Sequence, residues 1–138
     1  MICKNYVVTG EDVNDVMIME KAAYNSYTLR LLYRFLFQNG FSREKLNSLQ
    51  LDLQEGKYVL ICHKNLMFTE HFFVEMKYCF MNDRINIKSY FFNSKNECCA
   101  ELLKEVEWFD SIRKEVIRAP KKILKHFNTS NPVKFQNL

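Results

Sequence analysis

The chain has 138 residues, of which 48% are hydrophobic and 26% charged, so it is long enough for one folded domain and is neither disordered nor fibrous in composition. Its net charge of +4 is mild, and no recognised nucleic-acid-binding motif accompanies that charge. With only three glycines, and with neither G-x-G-x-x-G nor G-x-x-x-x-G-K-[ST], the sequence excludes the common phosphate-binding loops. We expect no membrane span and no signal peptide, because no long apolar run and no apolar N-terminal segment is present.

The five cysteines are an odd number and include no C-x-x-C pair. We therefore predict free, buried thiols in a reducing cytoplasm, and we predict no zinc site because clustered Cys and His spacing is missing. The cysteines are Cys3, Cys62, Cys79, Cys98 and Cys99.

The first elements in chain order are a short strand at 6–8, a polar loop at 9–15 and one long helix at 19–39. Gly40 follows that helix in the position where helices commonly end. Most of the helix is apolar, and its polar residues form one narrow stripe of Ser26, Arg30, Arg34 and Gln38. A helix with so narrow a polar face is predicted to be surrounded by other structure.

After the helix, apolar and polar residues alternate with the period of two that is typical of half-buried strands. The alternating segments are 49–54, 58–63, 72–81 and 85–91, with a predicted turn at Asn82-Asp83. Residues 97–110 fit a helix by propensity and a strand by alternation, and we favour the strand because the segment ends in Val106, Trp108 and Phe109. A short helix is predicted to start at Pro120 and to run to Phe127.

This order predicts a single α+β domain over residues 1–127, in which an antiparallel β-sheet wraps around one long central α-helix and a short C-terminal helix follows. Residues 128–138 are polar and rich in turn-forming residues, so we predict a frayed C-terminal tail.

The layout resembles the hot-dog fold, and the motifs are similar to those of the 4-hydroxybenzoyl-CoA thioesterase-like branch. Residues 12–24 keep the spacing of the branch motif D-x-D-x-x-G-H/V-V-x-x-x-x-Y between its first Asp and its Tyr. The helix end at 37–41 is similar to the family's L-x-x-x-G-hydrophobic ending. The segments 58–68, 108–110 and 119–123 resemble its third block, its closing strand and its final helix.

The resemblance implies that the second Asp of D-x-D is the catalytic carboxylate, and Asn14 stands at that position. An amide is neither a base near neutral pH nor a competent nucleophile. Three carboxylates are candidates to replace it: Asp15, Glu20 and Asp12. Each also has an ordinary structural explanation. The helix dipole favours an acidic residue such as Glu20 at the start of a helix, and Asp12 and Asp15 are common types of turn or N-cap residue. The motif's loop Gly is replaced by Met17.

The resemblance also implies where a thioester substrate would bind. The N–H groups at the start of the central helix, around Met19 to Lys21, would polarise the thioester carbonyl. Tyr24 is the tyrosine of the motif, and a strand of a second protomer would add candidates for substrate binding. These candidates are His63, Asn65, Thr69 and His71.

The implied substrate is an acyl-CoA or an acyl carrier protein thioester, with no cofactor and no metal. Basic side chains are candidates to bind the carrier's phosphates or acidic surface. They are Arg30, Arg34, Arg113, Lys114, Lys121 and Lys122.

We therefore expect a cytoplasmic homodimeric or tetrameric thioesterase with no nucleic-acid partner. The alternative is a catalytically impaired protein that binds an acyl thioester without hydrolysing it, and a dehydratase is the third hypothesis.

Overall fold

The computed structural model of the protein describes residues 2–54, 56–81 and 84–129. This part of the chain contains seven strands, three helices and a short 3-10 turn at Gly10–Asp12. The strands are β1 (Ile2–Val7), β2 (Leu51–Gln54), β3 (Tyr58–Cys62), β4 (His71–Met81), β5 (Arg84–Asn93), β6 (Cys98–Asp110) and β7 (Glu115–Ile117). The helices are α1 (Lys21–Gln38), α2 (Arg43–Ser48) and α3 (Lys121–Thr129).

The strands form one antiparallel sheet in the order β1-β4-β5-β6-β2, and β3 and β7 also pair with β6. β6 has 13 residues and so is long enough to pair with four other strands. β3 and β5 pair with overlapping residues of β6, so they lie on opposite sides of it. Within the described sheet, β1 and β3 are therefore edge strands.

The long helix α1 packs across one face of this sheet, as the narrow polar stripe predicted. The stripe residues are exposed, whereas Leu31 and Leu32 are almost fully buried. Aromatic rings fill the space between helix and sheet, with Tyr24 edge-on to Phe91 at 4.9 Å between ring centroids. The α+β class and the central helix are thus confirmed.

The helix begins two residues later than predicted, at Lys21, because its two preceding residues are held in extended loops. Met19 N–H donates to the Leu66 carbonyl at 2.8 Å, and Glu20 N–H donates to the Asp12 carbonyl at 2.8 Å. Its end is as predicted, since Gly40 has φ +91° and the Phe41 N–H returns to the Leu36 carbonyl at 2.8 Å. That pair of features is the Schellman ending of a helix.

Four polar side chains are buried between α1 and the sheet. Thr28 Oγ1 lies 3.0 Å from Ser89 Oγ, and Lys104 Nζ donates to Asn25 Oδ1 at 3.0 Å. Lys104 is only 3% exposed, and it lies on the same face of β6 as the buried Leu102 and Val106. A buried donor or acceptor is costly unless it is bonded, so these pairs fix how the helix sits on the sheet.

The ambiguous segment is a strand, β6, and two other elements were not predicted. α2 is capped by Ser42, whose side chain accepts from Lys45 N–H at 3.1 Å, and it displaces the start of the predicted strand from Leu49 to Leu51. β7 follows a turn in which Asp110 Oδ1 accepts two backbone N–H groups. Both elements are short, and short elements carry too few periods to be seen in sequence.

Further predictions concern the first strand, the last helix, the C-terminal tail and the absence of a membrane span. β1 begins at Ile2 rather than at Tyr6. α3 begins at Lys121, one residue after the predicted start, and the Ile123 N–H donates to the Pro120 carbonyl at 2.9 Å. The predicted turn at 82–83 and residues 130–138 of the predicted tail lie outside the described residues, and α3 includes 128 and 129. No described helix is long and apolar enough to cross a membrane.

All five thiols are free, but the prediction that they are buried is wrong for part of the set. Cys79 and Cys99 are buried, whereas Cys3 and Cys62 are exposed. These two lie on the edge strands β1 and β3, which have a neighbour on one side only.

Candidate active site

The loop between β1 and α1 is held in place by the carboxylate of Asp12. Its Oδ2 accepts hydrogen bonds from Thr9 N–H at 2.9 Å, from Thr9 Oγ1 at 3.0 Å and from the Tyr27 hydroxyl at 2.5 Å. Asp12 is only 7% exposed. Because these donors come from both the loop and the helix, Asp12 ties the two together.

Asn14 is exposed, and its side chain organises the turn that follows it. Asn14 Oδ1 accepts from Val16 N–H at 3.0 Å and from Ile18 N–H at 3.1 Å, and its own N–H donates to the Ile18 carbonyl at 2.9 Å. Asn and Asp both form such turns with their own backbone. The amide at the position of the family's catalytic Asp is therefore engaged with backbone donors.

Met17 adopts a left-handed backbone conformation, with φ at +65°. It stands where the family motif has Gly, so the chain keeps the backbone shape without the residue that adopts it most easily.

We expect Met17→Gly to raise the free energy of unfolding by about 0.5–1 kcal/mol, since it removes the strain of a Cβ at positive φ. Chemical denaturation of the variant and the parent checks this. Val16→Gly is the matched control, because Val16 is also exposed but lacks a positive φ, and it should lower stability. A Met17→Gly protein less stable than the parent would contradict the assignment of strain.

A second loop, residues 64–70, packs against the first at the start of α1. Phe68 N–H donates to the Met17 carbonyl at 2.9 Å, and Ile18 and Met67 form an isolated β-bridge. Leu66, in the same loop, is fully buried. Thr69 has φ +74°, which is a genuine outlier for a β-branched residue. Strained residues cluster at functional sites, and here two of them lie in adjoining loops.

The two loops expose apolar side chains beside the helix start. We call this surface the loop platform, and it consists of Val16, Met17, Met67 and Phe68. Their exposed fractions are 64%, 49%, 37% and 42%. Exposed apolar groups that lie together are typical of binding surfaces.

The start of α1 presents two backbone N–H groups that the described residues do not use. Those of Met19 and Glu20 are taken by loop carbonyls, so the predicted polarising role around Met19 does not hold for Met19 itself, which is buried. Lys21 and Ala22 lie in the first turn, where an α-helix offers no acceptor, and no loop acceptor is found for them among the described residues. Glu20 is the N-cap residue, yet its side chain makes no capping hydrogen bond.

The three candidate carboxylates differ in burial and in hydrogen bonding. Asp12 is buried and bonded, whereas Asp15 and Glu20 are exposed. Neither Asp15 nor Glu20 has a side-chain hydrogen bond or an ion pair in the part of the chain that the structure describes. Glu20 immediately precedes the unused N–H groups of Lys21 and Ala22. It is therefore the carboxylate best placed to act with them.

Two tyrosines of α1 are held protonated by their surroundings. Burial, the hydrogen bond to Asp12 and the charge of that carboxylate raise the pKa of Tyr27 to about 12, against the opposing charge of Arg30. Burial raises the pKa of Tyr24 well above its usual range, with the nearby thiols of Cys62 and Cys99 adding to the effect.

We expect the free energy of unfolding to fall as the pH rises from about 10 to about 12. Below pH 10 both states keep the Tyr27 proton; above it the unfolded chain releases the proton first, so the folded state binds more protons and loses stability with pH. Urea denaturation across this range measures the slope. Tyr27→Phe should reduce the slope and leave the part that comes from Tyr24, and an unchanged slope in that variant would contradict the prediction.

The candidates for substrate binding from the strand region do not all lie on the same side of the sheet. Asn65 and Thr69 are exposed in the loop 64–70 and so flank the loop platform. His63 instead lies on the outer face of the sheet, with Nε2 2.7 Å from Glu101 Oε2, and its hydrogen bond is the main reason that the pKa of Glu101 is lowered. Within one chain His63 is therefore not brought to the start of α1. His71 is exposed at the start of β4.

The basic candidates are likewise not gathered at the start of α1. Arg34 follows Glu20 by 14 residues, which is about 21 Å along the helix axis. Arg113 and Lys114 lie in the turn before β7, and the remaining pair, Lys121 and Lys122, begins α3. No group of three or more side chains suited to hold a metal ion is found among the described residues.

The architecture matches solved structures at very low sequence identity. A hypothetical protein from Staphylococcus aureus, solved in complex with CoA, is 14% identical and has a TM-score of 0.85 over 98% of this chain and 87% of that one. A DHNA-CoA thioesterase from Staphylococcus aureus is 12% identical, with a TM-score of 0.82 over 93% and 89% of the two chains. The chain has the hot-dog fold.

A 1,4-dihydroxy-2-naphthoyl-CoA thioesterase from Synechocystis shares this hot-dog architecture at 8% identity, with a TM-score of 0.81 over 94% of this chain and 96% of that one. No protein-family model and no curated protein matches the sequence. The hot-dog fold that the sequence resemblance implied is thus confirmed, and at such identities the likeness establishes the fold alone.

The sequence left some important features of the hot-dog chain unseen. The Tyr27 bond to Asp12 and the docking of residues 64–70 on the first loop join segments far apart in sequence, so no local pattern encodes them. The left-handed backbone conformation of Met17 could have been found from the sequence, because Met17 stands where the motif has Gly.

Proposed function

We propose that the protein is a hot-dog thioesterase that hydrolyses an acyl-CoA thioester, with Glu20 activating the attacking water. The observation that carries this is the exposed Glu20 carboxylate, which does not cap α1 and directly precedes two N–H groups that have no acceptor among the described residues. The fold shared with thioesterases and with a CoA-bound protein supports the reaction class.

In the proposed mechanism the thioester carbonyl oxygen accepts hydrogen bonds from the N–H groups of Lys21 and Ala22. Helix N-termini favour such negative charge, and donors fixed in advance stabilise the tetrahedral intermediate. Glu20 takes a proton from water as the water oxygen bonds to the carbonyl carbon. The carbon–sulfur bond then breaks, and the proton passes from Glu20 to the departing thiolate, giving free acid and free CoA.

The acyl group lies on the loop platform in this proposal. The space between α1 and the sheet is filled by buried rings, whereas Met17, Met67 and Phe68 are exposed beside the reacting group. Methionine and aromatic side chains adapt to apolar ligands of varied shape. The exposed Lys21 is the positively charged side chain nearest to Glu20 in sequence, and in this proposal it binds a phosphate of the carrier. An acyl carrier protein thioester is the second carrier to test.

The proposed assembly is a homodimer joined through β3. This strand pairs with β6 on one side, and the exposed Val59 and Ile61 lie on it. An unpaired strand edge is a template for another strand, so two copies would form one continuous sheet. Light scattering on the purified protein measures the mass, and a monomer at working concentrations would refute this part.

The alternative, a binder without turnover, is favoured by the amide at Asn14. We expect Asn14→Asp to fold normally, because a carboxylate accepts the same Val16 and Ile18 N–H groups, and to raise kcat about tenfold or more if the parent is impaired. A variant with unchanged kcat would mean that the position is catalytically silent.

The proposed function is tested by mass spectrometry on short, long and aromatic acyl-CoA thioesters. Release of acid and free CoA with a clear acyl preference would support a thioesterase. A retained, uncleaved acyl-CoA in native spectra would instead support the binding protein. If neither occurs with CoA thioesters, the acyl-CoA proposal fails and acyl carrier protein thioesters are tested next.

A further inference from the structure

A second concave region lies at the far end of α1, away from the loop platform. It has a volume of about 470 Å³, within the range of small-molecule sites. Its lining comes from β1, α1 and β4 and includes Cys3, Arg34, Phe35, Gln38, Asn39 and Tyr78. Arg34 is about 21 Å along the helix from Glu20, so a ligand here would not share the candidate active site.

Arg34 supplies the charge of this cleft. Other arginines are engaged, since Arg30 and Arg43 each lie 4.5 Å above a tyrosine ring. For Arg34, no carboxylate within ion-pair distance and no ring beneath the guanidinium is found among the described residues. It is also the one basic residue among the described residues of the lining. A single planar guanidinium matches a carboxylate in two parallel hydrogen bonds.

The floor of the cleft is aromatic. The rings of Phe35 and Tyr78 have centroids 5.8 Å apart, and the two residues are 9% and 4% exposed. The end of α1 does not repel an anion strongly here, because its last carbonyls are already bonded. Asn39 Nδ2 donates to the Phe35 carbonyl at 2.8 Å, and Gly40 N–H donates to the Phe37 carbonyl at 3.1 Å.

We propose that this cleft binds a small carboxylic acid with an aromatic or short aliphatic body. Its carboxylate lies on Arg34, its body lies against Phe35 and Tyr78, and the amide of Gln38 is available at the rim. This site is separate from the proposed thioesterase site and does not depend on that function. One guanidinium without further cations favours a monoanionic carboxylate over the multiply charged phosphates of CoA.

Cys3 provides a readout inside the cleft. It is exposed and lines the cleft, whereas the exposed Cys62 lies on β3 outside it. Alkylation by iodoacetamide is followed for each cysteine by mass spectrometry, with benzoate and octanoate as probes, benzamide and octanamide as uncharged analogues, and CoA as a phosphate source. Saturating benzoate or octanoate should slow Cys3 alkylation about threefold or more, because a pocket ligand is mostly enclosed. The amides should not slow it.

Arg34→Gln should weaken the carboxylate's affinity about tenfold, with the Kd measured by amide chemical shifts in NMR titrations. Arg30→Gln is the matched control, since Arg30 is exposed one turn earlier on the same helix and does not line the cleft, and it should leave the Kd unchanged. Equal protection by acid and amide, protection that survives Arg34→Gln, or protection by CoA alone would each overturn the proposal. So would unchanged Cys3 alkylation with both acids.

Discussion

Glu20→Gln should lower kcat for acyl-CoA hydrolysis about 100-fold or more while changing KM little, because a glutamine keeps the shape of the side chain but cannot take a proton from water. Glu20 is exposed and makes no capping hydrogen bond, so the substitution should leave the fold and its stability intact. Steady-state kinetics with the best substrate of the panel, together with a denaturation curve, measure both effects.

Two further variants make this experiment decisive. Asp15→Asn removes the other exposed candidate carboxylate and should retain most of the activity. Glu11→Gln removes an exposed acidic residue of the same loop region and should change nothing. If Asp15→Asn abolishes turnover and Glu20→Gln does not, the water is activated by Asp15 and the proposed role of Glu20 is wrong.

Asp12→Ala should lower the free energy of unfolding by about 3 kcal/mol, because it leaves the buried Tyr27 hydroxyl and the Thr9 donors without their acceptor. Urea denaturation with Glu11→Ala as the exposed control measures the difference, and the control should stay within about 0.5 kcal/mol of the parent. Activity should fall as well, since the loop that carries Glu20 is bonded to Asp12.

A double-mutant cycle separates the bond from the rest of the network. Tyr27→Phe and Asp12→Asn should each destabilise the protein, and the double variant should cost less than the sum by about 1 kcal/mol or more. Additive effects would mean that the Tyr27 hydroxyl and the Asp12 carboxylate do not stabilise one another. A stable and fully active Asp12→Ala protein would refute the structural role and reopen a catalytic one.

Much of the fold could be predicted from local patterns. The polar stripe at every fourth residue and Gly40 at its end define α1, because helical period and left-handed termination depend on neighbouring residues only. Alternation likewise defined β4 and β5. The strand β6 was ambiguous because its residues favour a helix by propensity, and pairing on both of its sides overrides that preference.

The candidate active site was harder to predict from the sequence than the fold. Loop position alone did not separate Asp12, Asp15 and Glu20, since all three are ordinary loop or cap residues. What separates them is burial and bonding, and the partner of Asp12 lies 15 residues away on α1. The register of β3 and β6 places His63 beside Glu101 on the outer face of its own chain, and residue type alone could not show this.

The sequence by itself determined the elements whose signals are local: the central helix, its end and the alternation of the long strands. The tertiary structure decided which groups at the start of α1 remain unused. Leu66 and Asp12 supply the carbonyls that occupy two N–H groups, and Tyr27 and Thr9 supply the donors that occupy one carboxylate. Hydrogen bonds between distant segments form only when the chain is folded, so residue type alone could not assign them.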